Sequence, residues 1–176
     1  AAEIRGACDV RFLGTSTLHD FNGTGKCLPF AATLERAPGG GSVLPLVKLD
    51  VPVGGMDTEN DSRDREMRKM FRDEQHPFIH ASARDVDIDA VRRRMKEDAA
   101  GKAPLDVFLE IRGMERKIAA SAGGLKEEGN RVSFDVEFPV SLKQFGLKAP
   151  SVLGLIRVGD RVLVKASFRV EIQETP

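Results

Sequence analysis

Alternation of apolar and polar residues over 131–142 constrains this chain most. Val132, Phe134, Val136, Phe138, Val140 and Leu142 fall on one parity, and Arg131, Ser133, Asp135, Glu137 and Ser141 on the other. A period of two puts the first set on one face of a strand and the second on the opposite face, so the segment reads as a half-buried antiparallel strand. The pattern returns in Val162, Val164, Ala166, Phe168, Val170 and Ile172, and again in Leu105, Val107, Leu109 and Ile111. Val47, Leu49, Val51 and Val53 alternate as well, but Pro52 has no N–H to give to a ladder, which predicts an irregular or edge position there. Weaker candidates at 4–13, 22–32, 77–86 and 115–121 bring the strands to about eight.

Turn signals separate these strands. The 37–42 stretch, Ala-Pro-Gly-Gly-Gly-Ser, is a flexible hairpin loop, Gly123-Gly124 together with 127–130 makes another, and Gly159-Asp160 fits a tight reversal. Two segments carry helical patterns. The first covers 61–71, with Asp61 as its cap, Asp64 and Arg68 as an i,i+4 pair, and an apolar face made of Met67, Met70 and Phe71 alone. Followed at once by a Pro-led strand, it reads as a lid or plug on a sheet. The second covers 87–99, where Asp87 or Asp89 caps a charged run and Ile88, Val91 and Met95 form one narrow apolar stripe. Its charge predicts a place on the outside, as an insertion between strands.

Many antiparallel strands with one apolar face and few helices leave a sandwich or a closed barrel. Residues 1–176 form one all-β domain with one or two short helices, and if its sheet closes it closes as an antiparallel eight-stranded barrel. Eight strands is the size at which the interior either just fills with side chains or holds one small ligand. The inward parity is Val, Leu, Ile, Phe and Ala almost throughout, in a chain without Trp or Tyr. A lumen so lined offers dispersion and hydrophobic contact but few oriented hydrogen bonds, which suits an aliphatic chain. The competing reading is that the same side chains pack against each other.

Lys plus Arg and Asp plus Glu number 27 each, so no net field recruits nucleic acid or an anionic membrane by long-range attraction. No run approaches the roughly 18 apolar residues of a membrane helix. The small residues Ala1 and Ala2 are what signal-peptide cleavage leaves, which predicts an exported chain. Cys8 and Cys27 flank a segment that reverses the chain, which places them opposite each other on neighbouring strands. A disulfide there would close a loop worth about 3 kcal/mol and requires an oxidising compartment. The alternative is two buried thiols.

Searches for chemistry return little. There is no G-x-S-x-G elbow, and Gly23-Thr24-Gly25-Lys26 lacks the upstream glycine of a phosphate-cradling loop, so it reads as a turn and strand start. His76 and His80 would align on a helix, but Pro77 makes the segment extended and separates them too far for one metal. Neither catalytic nor metal-ligating residues are assigned. A nucleophilic or copper arrangement of Cys8, Cys27 and His19 would need free thiols and a third orienting group.

Asp57-Thr58, Arg63-Asp64, 67–71 and then His76-Pro77-Phe78-Ile79 resemble the YceI-like family, with its threonine, its Arg-Asp-led helix, its Phe-bearing turn and its aromatic-Pro strand start. The 16–21 segment followed by Gly23 resembles that family's first reversal, and 135–146 followed by 160–170 resembles its closing strands with a Phe-Gly-Leu step. The order of these motifs over the full length carries the resemblance. It implies a small lipocalin-like barrel, periplasmic or secreted, that binds a polyisoprenoid, isoprenoid quinone or similar long-chain lipid, exchanges it transiently with membranes and forms homodimers. Beyond that bound lipid it implies no cofactor. The 87–99 helix and His76 in an aromatic's place depart from the family pattern, and both bear on the barrel's mouth.

The ligand contacts carried over are Phe12, Leu18, Phe21, Val51, Val53, Met67, Met70, Phe71, Ile79, Phe134, Val136, Phe138 and Phe168. Met67, Met70 and Phe71 are the expected gate, since methionine's flexible thioether adapts to different chains. Larger or charged residues at Met67 and Met70 are expected to block uptake without unfolding the barrel. The rival reading is a barrel with a filled lumen, acting as a stress-response or protein-interaction module through its outer surface, with Arg92-Arg93-Arg94 as a contact patch.

Overall fold

The computed structural model describes residues 1–152 and 156–174. Its strands are β1 (Ala2–Gly14), β2 (Phe21–Lys26), β3 (Phe30–Arg36), β4 (Ser42–Pro52), β5 (Phe78–Asp87), β6 (Ala103–Ile111), β7 (Met114–Glu128), β8 (Arg131–Ser141), the two-residue β9 (Ser151–Val152) and β10 (Ile156–Arg157), and β11 (Arg161–Glu174). Helix α1 (Asp61–Phe71) joins β4 to β5, and α2 (Ile88–Glu97) joins β5 to β6. The sheet runs β11-β8-β7-β6-β5-β4-β3-β1 and closes where β11 pairs with β1, antiparallel throughout. This is the closed eight-stranded barrel that the family resemblance implies, one of the two architectures the alternation allows. Among the described residues the far side of β2 has no ladder partner; there Thr24 bridges to Asp57 and the Leu28 N–H donates to the Asp50 carbonyl.

The eighth position is shared by two strands. The first half of β1 pairs with β3 and the second half with β2, so 21–36 forms one strand broken at 27–29, where Pro29 cannot donate. Across the break the pairing with β1 slips by one residue, from Asp9 opposite Lys26 to Gly6 opposite Phe30. The Cys27 N–H still donates to the Cys8 carbonyl, and the two sulfurs form the expected disulfide, with Cα atoms 5.4 Å apart. Gly23-Thr24-Gly25-Lys26 therefore lies inside β2 and is no turn, because β1 extends far enough to pair with all of it.

Three further expectations are corrected. Gly123-Gly124 does not reverse the chain: it is a bulge inside β7, with Gly124 at φ +62°, and the turn into β8 is Gly129-Asn130. The cap of α1 is the Asn60 side chain, which accepts from the Arg63 N–H at 2.9 Å, one residue earlier than Asp61. Asp64 does not reach Arg68; it is buried, and its carboxylate accepts both the N–H (2.9 Å) and the hydroxyl (2.5 Å) of Thr58. A buried carboxylate so bonded ties α1 to the chain leaving β4.

Helix α2 is not on the outside. Asp87 caps it by accepting from the Ala90 N–H, and Ile88, Val91 and Met95 turn inward across one end of the barrel. Met95 packs with Ala103, Val107, Ala120, Ala122 and Val136. A stripe that narrow cannot bury a helix on a flat sheet, but it fits a barrel's open end. The opposite end is closed by Met67 and Phe71 of α1 against Val53, Leu109, Ile111, Ile118, Val140, Leu142, Phe145 and Leu147. The Phe-Gly-Leu step supplies two of these, Phe145 and Leu147, through a turn in which Gly146 sits at φ +67°.

Candidate functional site

Between the two plugs the barrel wall encloses a cavity of about 540 Å3. That volume lies within the roughly 300–1,000 Å3 of small-molecule sites. Alternate residues of each strand line it: Val10 and Phe12 of β1, Val136 and Phe138 of β8, Val164, Ala166 and Phe168 of β11. On β4 and β5 the inward parity changes, from Leu44 to Val47 and from Ala83 to Val86, with Asp85 at φ +50° between the pairs Leu44–Val86 and Leu46–Arg84. Both strands switch together, so the lining stays apolar through the irregularity.

Phenylalanines lie against this wall over glycines. Phe12 pairs with Gly23, Phe21 with Gly14 and Phe30 with Gly6. A Cβ at Gly6 would sit 2.7 Å from the Phe30 ring, and Cβ atoms at Gly23 and Gly14 would run into the Phe12 and Phe21 rings. Each ring thus occupies the space that its partner's side chain would fill. Phe134 and Phe168 stack at 5.0 Å, and Phe30 meets Phe168 edge-on at 6.1 Å.

Of the expected contacts, Phe12, Phe21, Val51, Met67, Met70, Phe71, Ile79, Phe134, Val136, Phe138 and Phe168 line this one cavity. Leu18 does not: it is 68% exposed, in the loop after β1. Val53 does not either, because the chain leaves β4 there in a 3-10 turn that buries it under α1. Met67 and Phe71 are wedged into that same core, so the plug is as much structural as lining, and Met70 is its half-buried member. Sequence reasoning missed the stripe of α2 as lining. Its spacing was visible, but the barrel end that receives it is assembled from β6, β7 and β8.

Apart from Ser82 in the middle of β5, the polar side chains of the lining sit at the two ends. At the α2 end, the Asp89 carboxylate accepts the Ser42 N–H at 2.6 Å, and the Arg92 guanidinium grips Glu127 through two bonds of 2.7 and 2.9 Å. That fork holds the Glu127 carboxyl below its usual range and raises Arg92. The three-arginine run is accordingly no uniform patch. At the α1 end stand Thr58 and Arg63.

Outside the barrel, His80 pairs with Asp50, and among the described residues no group of three His, Cys, Asp or Glu side chains could hold a metal ion. Cys8 and Cys27 are both committed to the disulfide, which leaves neither thiol for nucleophilic or copper chemistry.

The YceI-like domain matches residues 8–170, from the first cysteine into the closing strand β11. The chain belongs to the YceI-like family. Solved structures share this family member's fold. BcnA from Burkholderia cenocepacia superposes with a TM-score of 0.66 at 14% identity, over 92% of this chain and 95% of that one. A polyisoprenoid-binding domain from Saccharophagus degradans, implicated in plant cell wall breakdown, gives 0.64 at 14% identity, over 95% and 97%. The Campylobacter jejuni YceI protein gives 0.56 at 14% identity, over 84% and 82%. At such identities the likeness is one of fold. No curated protein matches the chain.

Proposed function

We propose that this YceI-like protein binds a long-chain apolar lipid, a polyisoprenoid, isoprenoid quinone or similar molecule, in the barrel lumen, and stores or carries it without chemistry. One observation carries the reading: a continuous cavity of about 540 Å3, lined from plug to plug almost wholly by apolar side chains. Each methylene moved there from water gains about 0.8 kcal/mol, whereas one moved there from a bilayer gains almost nothing. Such a protein therefore exchanges its lipid with membranes or partners. The fold shared with a polyisoprenoid-binding domain supports the ligand class. The disulfide fits an oxidising, extracytoplasmic compartment, periplasmic or secreted.

The test is native mass spectrometry of the protein purified from its own host, followed by organic extraction of whatever is released. A stoichiometric long-chain lipid is the expected result. A clean polypeptide mass, with no uptake of isoprenoid quinones or alcohols in vitro, would overturn the proposal and move the search to the outer surface.

A further inference from the structure

Resting on that lipid-binding reading, we infer that Arg63 receives an oxyanion head group, phosphate or carboxylate, carried by the lumenal lipid at the α1 end. The polar groups at the α2 end already answer one another: Asp89 is taken by Ser42 and Arg92 by Glu127. At the α1 end, Thr58 spends both its N–H and its hydroxyl on Asp64. Arg63 is different. Its Nη2 donates to the Thr58 carbonyl at 2.9 Å and its guanidinium carbon lies 4.5 Å from the centre of the Phe21 ring, while its Nε is buried without a hydrogen-bond partner among the described residues. The neighbouring carboxylate, Asp64, points at Thr58 instead, and no ion pair within 4.0 Å neutralises Arg63 among those residues.

A guanidinium has five N–H donors in a planar fork that matches carboxylate and phosphate oxygens. Here one bond to a carbonyl and one aromatic face fix the plane, and the Asn60 cap and the Thr58–Asp64 bonds fix the backbone beneath it. The fork is therefore positioned at the edge of an apolar cavity with donors to spare and its charge unanswered. A ligand whose tail runs between the strands toward α2 and whose head bears oxygens of negative charge meets both requirements. A neutral alcohol meets only the first.

The test compares farnesol, farnesyl phosphate, palmitate, hexadecanol and inorganic phosphate by calorimetry on the intact disulfide-bonded protein, its Arg63→Met and Arg63→Lys variants, and Arg92→Met as the competing arm. The wild type is expected to bind at least one anion about tenfold or more tighter than its matched alcohol, the scale of a hydrogen bond to a charged group. Arg63→Met is expected to erase that preference, read as the ratio of anion to alcohol affinity within each protein, and Arg63→Lys to keep part of it. Which anion shows the Arg63-dependent preference assigns the head as phosphate or carboxylate. Equal wild-type affinities for anion and alcohol would overturn the inference and leave lipid binding standing, and need no variant to fold. Loss of the preference in Arg92→Met but not in Arg63→Met would overturn it too. Binding of no lipid by the wild type would instead sink the lumenal reading itself.

Discussion

Substituting Ala166→Leu tests whether the lumen is space for a ligand. Ala166 lies mid-barrel on β11, buried, opposite Val10 on one side and Val136 on the other, and lines the cavity with both. Leucine adds three carbons to the space a lipid chain would take. At about 0.8 kcal/mol per methylene displaced, that amounts to about 2.4 kcal/mol, or roughly sixty-fold in affinity, for any ligand long enough to fill the cavity. The protein itself should not suffer, since added methylenes that find free volume raise stability or leave it alone, whereas methylenes forced into a packed core cost about 1–3 kcal/mol. Displacement of a bound fluorescent fatty acid by farnesol reads the first quantity and urea unfolding of the lipid-free protein reads the second. Unchanged affinity together with a loss of 1–3 kcal/mol, the usual cost of overpacking, would mean the wall residues already touch at this position, and would refute the reasoning.

Three further outcomes are expected. Gly23→Ala drives the Phe12 ring off the wall into the lumen, so lipid capacity should fall, with the protein still folded; capacity equal to wild type would show that the ring escapes another way. Removing the Cys8–Cys27 bridge, which spans 19 residues, should cost about 3 kcal/mol and lower the melting temperature by roughly 6–12 °C, as scanning calorimetry of Cys8→Ala/Cys27→Ala would show. Glu127, Asp9 and Asp160 are held below the usual carboxylate range by Arg92, Arg169 and the Ser141 hydroxyl respectively. Their contribution is present above the unfolded values and lost as pH falls through the folded ones. Urea midpoints should therefore be flat down to about pH 5 and decline below it, and the triple Asn/Gln variant should decline less; an identical decline would mean other carboxylates carry it.

The barrel was legible wherever a strand has one apolar and one polar face. Val132 to Leu142 and Val162 to Ile172 show their parity directly, and they pair with each other in the barrel through Val140 with Val162 and Phe134 with Phe168. Where a strand changes parity the pattern fails, because alternation on either side of Pro45 or of Gly123-Gly124 reads equally well as two short strands. Helix α2 was legible as a helix and misplaced, since charge on most of its surface says only that most of it meets water. Which side the remaining stripe meets depends on β6, β7 and β8. The plug of α1 was legible in Met67, Met70 and Phe71. Arg63 was visible as part of a motif, but its contact with Phe21 joins residues that only the barrel's closure brings together.

A lumen of this size raises an energetic question that the fold itself answers. At roughly 24 cal/mol per Å3, the scale measured for cavities left in packed cores, every 100 Å3 of that space left dry would cost about 2.4 kcal/mol. Against a domain stability of about 5–15 kcal/mol, that is a large fraction. An ordinary core would collapse onto such a space. Here the walls cannot follow: the ladder is closed by β11 on β1, a disulfide pins β1 to the break between β2 and β3, and glycines let three phenylalanine rings lie along the wall. Helices lie across both ends, Met95 of α2 in one core and Met67 and Phe71 of α1 in the other, and the lumen stays part-open. The interior therefore keeps a strong drive to be filled and lacks the side chains to fill it. A ligand of apolar volume satisfies that drive whatever its detailed structure, and this is the physical basis for a lumen that selects by chain character and leaves finer recognition to its rim.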